Sequence, residues 1–205
     1  GTLLEGVAVL HHDGRVETVA MNASHANIVT AFAWAGDDIV VVGQRKMRLT
    51  HLAVMSRHDE GWTAREVWAQ DPTEESADAI NGSLIAASRD VLAFTSRASQ
   101  DRANYDVKLH VWHRKEAGFQ RVGTMIRSSI VAVDVDTDGR VWIADAQGIH
   151  EVRLDGSALT IGTHYPMPMP MALANGNAFV SNVYERGIVE VWRAGVRTQE
   201  LRFTR

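Results

Sequence analysis

Cysteine is absent from the 205 residues, which excludes disulfides, thiolate nucleophiles and cysteine-ligated zinc. That absence suits a reducing cytosol and an exported protein equally, so the compartment stays open. No apolar run approaches the roughly 18 residues a membrane helix needs, and the opening GTLLEGVAVLHHDG has no basic stretch ahead of a small-residue cleavage site. We expect a soluble chain without membrane contact. Charge of either sign is not in large excess: 21 Lys and Arg against 25 Asp and Glu leave a formal charge of -4, which offers no general attraction for nucleic acid. G-x-S-x-G, H-E-x-x-H, a phosphate-cradling Gly-rich loop and an EF-hand loop are all missing. Helical periodicity is missing too.

What the chain does contain is a repeat. An apolar strand comes back around Val9, Val54, Val111, Val152 and Val191, each time followed by a Gly-containing turn and a further strand. Alternating with these copies are WAGDDIVVVG (34–43), AASRDVLAFT (86–95), VDTDGRVWIAD (135–145) and LANGNAFVSN (173–182). The valines recur at intervals of 39 to 57 residues, near the period of about 40 to 50 that marks propeller blades. The longest interval holds the acidic connector 70–83 and the loop 96–106, where a repeat tolerates insertion. Within each copy the residue two before the valine (Val7, Leu52, Leu109, His150, Val189) shares its face, and four of the five are apolar. The residue just before it (Ala8, Ala53, His110, Glu151, Glu190) is small or polar, so we expect a half-buried strand with one open face.

The expectation is therefore an all-β chain of β-propeller type. It would hold a half blade over 1–22 and four-stranded blades over about 28–70, 77–127, 128–165 and 169–205. Those eighteen strands fall two short of five blades, which makes the chain a fragment, a five-bladed ring closed in another way, or a protein that associates through an open strand edge.

DVDTDGRVWIADAQGIHEVRLDG (134–156) and PMALANGNAFVSNVYERGIVEVW (170–192) carry an apolar strand after an Asp-Gly or Asn-Gly turn, a short Asp- or Asn-bearing loop and a Gly-Ile start. This plan resembles the repeats of NHL-type and gluconolactonase-like (senescence-marker-type) propellers, mainly over residues 128–192. The resemblance implies a propeller fold. In its enzyme members it also implies a central divalent metal, held by Glu, Asn and Asp, with an Asp as acid or base. Here the stretch before the Asp-Gly turn reads SSIVAVDV and lacks the Asn-Gly that brings the Asn ligand in that family. A metal-dependent, lactonase-like hydrolase, with calcium as its cofactor, is thus the alternative to a non-catalytic scaffold with no cofactor.

Among single residues, Asp134 and Asp136 are possible oxygen donors, which turn capping explains more simply. His11 with His12, and His110 with His113, differ in strand parity and do not converge on one ion. His150 replaces an apolar residue and, if buried, needs a hydrogen-bond partner. The tryptophans fall at repeating strand positions, as packing between blades requires. Arg45, Lys46 and Arg48 in one loop, and Arg97, Arg102 and Tyr105 in another, should share a rim with Asp71, Glu74, Glu75 and Asp78. We expect that rim, or the open edge, to bind a protein or peptide partner. YPMPMPMA (165–172) reads as a stiff connector between blades.

Overall fold

The computed structural model describes residues 6–20, 28–45, 49–59, 61–69, 84–97, 106–155, 158–166, 172–181 and 187–203. All regular structure there is β. A two-stranded hairpin, β1 (Gly6–Leu10) and β2 (Val16–Ala20), precedes four antiparallel four-stranded sheets. The first holds β3 (Ile28–Ala35), β4 (Asp38–Arg45), β5 (Leu49–His58) and β6 (Gly61–Ala69). The second holds β7 (Ile85–Ala87), β8 (Val91–Arg97), β9 (Asp106–Lys115) and β10 (Gly118–Ser128). The third runs through β11 (Ala132–Val135), β12 (Val141–Asp145), β13 (Gly148–Asp155) and β14 (Ala158–Tyr165). The fourth runs through β15 (Ala172–Ala174), β16 (Asn177–Ser181), β17 (Ile188–Arg193) and β18 (Val196–Arg202). Each sheet is ordered as the chain runs, and β3, β7, β11 and β15 approach one another in succession as the inner strands of neighbouring sheets.

The repeating valines explain the stack, because a strand with apolar residues on both faces is stable only between two other sheets. Val40, Val42, Leu52 and Val54 of the first sheet interleave with Leu92, Phe94 and Trp112 of the second. On the other side of the second sheet, Val91, Ala93, Leu109 and Val111 meet Val135, Val141, Ile143 and Val152 of the third. Trp142 and Ile149 then meet Ala178 of the fourth. The half-buried strand expected from the sequence therefore needs correction in the inner sheets: Ala53 and His110, on the face read as open, are both 1% exposed because a neighbouring sheet covers each side. In the hairpin, where no described sheet covers the second face, Ala8 stands in solvent.

Two local devices hold the sheets in register. In every four-stranded sheet the outermost strand carries one extra residue, namely Val67, Val122, Gly162 and Thr198, each near the repeating valine of the neighbouring strand. Such bulges increase strand twist; the β1–β2 hairpin has none. At the start of β13, Gly148 has φ +135 and lies so close to the Tyr165 carbonyl that a Cβ would overlap it. Glycine is required there for both reasons.

Candidate functional site

The rim residues singled out by sequence are largely outside the described residues. Lys46, Arg48, Arg102 and Tyr105 lie there, as do Asp71, Glu74, Glu75 and Asp78. The backbone puts Arg45 at the end of β4 opposite Leu49 and Arg97 at the end of β8 opposite Val107. Both positions thus occupy the same end of a second strand, the end where Asp145 stands in the third sheet.

The acidic pair of the third sheet is engaged in structure. Asp136 accepts hydrogen bonds from the Asp138 and Arg140 amides (3.0 and 2.9 Å) and from Trp142 Nε1 (3.0 Å), so it caps the Asp-Gly turn and pins a buried indole. Asp134, on the inner strand β11, accepts the Gly176 amide of the fourth sheet at 3.1 Å. Burial pushes the Asp134 carboxyl above its usual range, and the Asp136 charge adds to this against the backbone amides of Gly176, Val135 and Asn175. No cluster of three or more His, Asp or Glu side chains suited to a metal ion occurs among the described residues.

The histidines separate into pairs. His150 Nε2 lies 2.8 Å from Asp145 Oδ1, with the imidazole donating to the carboxylate. Arg127, reaching over from β10, donates to Asp145 Oδ2 at 2.8 Å, and the Gln147 amide donates to Oδ1 at 2.8 Å. Burial pushes the Asp145 carboxyl up, but these donors outweigh it and hold the group below the ordinary carboxylate range. The His150 ring stacks on His164 at 4.6 Å, and His164 Nε2 donates to the Gln147 carbonyl at 2.9 Å. The partner that a buried His150 required is therefore Asp145, and the assembly ties the second sheet to the third. His110 packs against both Phe94 and Trp68, with Nε2 2.8 Å from Ser96 Oγ. Burial, helped by Lys108 and Arg121, pushes the His110 imidazole down to about 3. His113 is also pushed down, by burial and then by Lys115. His11 pairs instead with Glu17 at 3.0 Å.

The tryptophans supply what sequence reasoning missed. Trp112 and Trp142 are buried between sheets as expected, but Trp34 is 50% exposed, and Phe32, on the same face of β3, is 55% exposed. Their counterparts in the second sheet by register are Ile85 and Ala87, since Phe32 faces Val41 as Ile85 faces Phe94, and Trp34 faces Ile39 as Ala87 faces Leu92. Ile85 and Ala87 pack against the preceding sheet. Among the described residues the sheet preceding Phe32 and Trp34 has two strands. Val7 and Val9 cover Ile39, Val41, Ala53 and Met55, while among the described residues β1 pairs with β2 alone. An aromatic face thus stands beside a strand edge that has no partner among the described residues. At its end Trp34 and Trp62, 6.2 Å apart, line a hollow of about 700 Å³ with Gly36, Asp37, Arg57, His58 and Asp59.

No protein-family model matches the sequence, and no curated protein matches it. Solved structures do. A protein from Lactobacillus plantarum superposes with a TM-score of 0.54 at 14% identity, over 95% of this chain and 61% of the other. A gluconolactonase from Xanthomonas campestris superposes with a TM-score of 0.51 at 12% identity, over 91% of this chain and 62% of the other. The chain spans about three-fifths of the length of both. Sequential four-stranded antiparallel sheets, stacked face to face with their first strands innermost, make this an all-β chain of β-propeller type.

Proposed function

We propose that the chain is a non-catalytic propeller module that takes up a protein or peptide partner along the edge of β1, free among the described residues, and the face of Phe32 and Trp34. The observation that carries this reading is the contrast between two equivalent faces: Ile85 and Ala87 are packed, whereas Phe32 and Trp34 are more than half and half exposed. Adjacent exposed aromatics beside unpaired backbone donors and acceptors suit strand addition, in which main-chain hydrogen bonds give affinity and side-chain pockets give selectivity. The rim of Arg45, Lys46, Arg48, Arg97, Arg102 and Tyr105 is a second contact in this proposal, tested by charge reversal of Arg45, Lys46 and Arg48.

A photo-crosslinking residue at position 32 tests the reading. The expected result is a discrete adduct that Trp34→Glu abolishes; no adduct, or one indifferent to Trp34→Glu, overturns it. The lactonase-like hydrolase is the competing reading, favoured by Asp134 with its raised carboxyl on an inner strand. Light scattering and thermal melting with and without calcium separate the two. Calcium-insensitive mass and melting are expected, while a calcium-stabilised monomer that hydrolyses lactones establishes the hydrolase.

A further inference from the structure

The second sheet shows how a filled interface of this kind is closed at its end. Arg114, near the end of β9, reaches back to the first sheet and donates to Asp38 Oδ2 at 2.7 Å and to the Ala35 carbonyl at 2.9 Å. Both acceptors belong to the turn between β3 and β4, the inner hairpin of the preceding sheet. The same guanidinium donates to the Arg89 carbonyl of its own inner turn at 2.8 Å and lies 4.4 Å over the Phe119 ring. It is a clamp, fastening one inner hairpin to the next.

Arg57 occupies the same place one sheet earlier. It stands three residues after Val54, as Arg114 stands three after Val111. Its cross-strand partner is Trp62, as that of Arg114 is Phe119, with a turn of the same length between them. Its own inner turn, Gly36 and Asp37, lines the hollow beside it. The guanidinium, the cross-strand ring and the inner turn are in place, whereas the acceptors are missing, because the preceding sheet has no inner hairpin among the described residues. Arg57 is exposed, has no ion pair among the described residues, and acts on Glu17 of the β1–β2 hairpin only through its longer-range charge.

Resting on the docking reading above, we infer that the occupant of this face is a β-hairpin from another polypeptide, of the inner-strand type, whose turn carries an Asp or Glu for Arg57. One strand of the hairpin pairs with the free edge of β1 and the apolar side of both covers Phe32 and Trp34. The turn enters the hollow, where its carboxylate and a main-chain carbonyl accept from the guanidinium as Asp38 and Ala35 do from Arg114. Continuity with the interface between the first and second sheets, and the complementary charge, select this occupant over a helix or a basic segment.

The probe is a fluorescein-labelled, lysine-flanked peptide of residues 28–45, the inner hairpin that Arg114 already holds, titrated against the whole chain by fluorescence anisotropy. Saturable binding is expected, about tenfold weaker for the Asp38→Asn peptide and for Arg57→Glu protein. The Asp38→Arg peptide should bind Arg57→Glu protein better than native protein. Equal binding of all peptides to both proteins overturns the acidic-turn requirement and leaves the docking reading intact. No binding of any peptide, with β1 amides exchanging unchanged in its presence, overturns both. A doubled particle mass for the native chain without peptide, reverted by Trp34→Glu, assigns the face to a second copy and overturns this occupant.

Discussion

His110 carries a pH dependence that follows from where it is placed. Its imidazole is held neutral down to about 3 by burial against Phe94 and Trp68, whereas in the unfolded chain it titrates at about 6.5. Below the unfolded value the unfolded chain binds a proton that the fold refuses. This contribution to stability is therefore complete above about pH 6.5 and is lost as pH falls toward 3, at about 1.4 kcal/mol per pH unit. Asp145, held low, adds a loss of the same sign, felt where carboxylates of the unfolded chain take up protons. Asp134, held high, acts in the opposite sense there. Urea unfolding of His110→Phe between pH 6.5 and 5 should show a slope smaller than that of the native chain by about 1.4 kcal/mol per unit. An unchanged slope would mean that the His110 ring is protonated in the fold.

At the scale of the strand, the outer bulges determine which side chains reach the next sheet. Because side chains alternate, deleting Val122 slips the first half of β10 by one place and turns Phe119 away from Arg114. Deletion should cost about 3 kcal/mol or more, whereas Val122→Ala should cost about 1 kcal/mol, as read from denaturant midpoints. Similar losses for both would show that the bulge does not set the register. The strands themselves were legible because valine recurs with a turn behind it in every copy. The bulges were not, since Val67, Val122, Gly162 and Thr198 are ordinary strand residues apart from the glycine and a one-residue excess leaves no mark on an alternating pattern. The docking face was hidden for a related reason. Trp34 and Trp112 are alike as sequence, and what separates an exposed indole from a buried one is the number of strands in the sheet opposite. His110 misled in the other direction, its polarity signalling an open face where Ser96 and two aromatic rings enclose it. His150 was readable only as far as its need for a partner; that the partner is Asp145, with Arg127 from another sheet, required the register of β12 against β13 and of the sheets against each other.

Over the whole molecule the main contacts between described sheets join neighbours, so local stability should follow the number of covered faces. The second sheet is packed on both sides, while the β1–β2 hairpin is covered on one and leaves Leu10 and Val16 72% and 62% exposed. Amide exchange should accordingly be slowest in β8 and β9 and fastest in β1 and β2; equal protection would indicate a single cooperative unit. The order of strands within the sheets has a further effect, on how the protein is made. Every sheet closes between strands that follow one another directly, without waiting for a distant segment. Sequence-local pairing of this kind lowers contact order and shortens the search for the native state. During translation each blade can therefore form soon after it leaves the ribosome, with the sheet just completed serving as the surface on which the next one condenses.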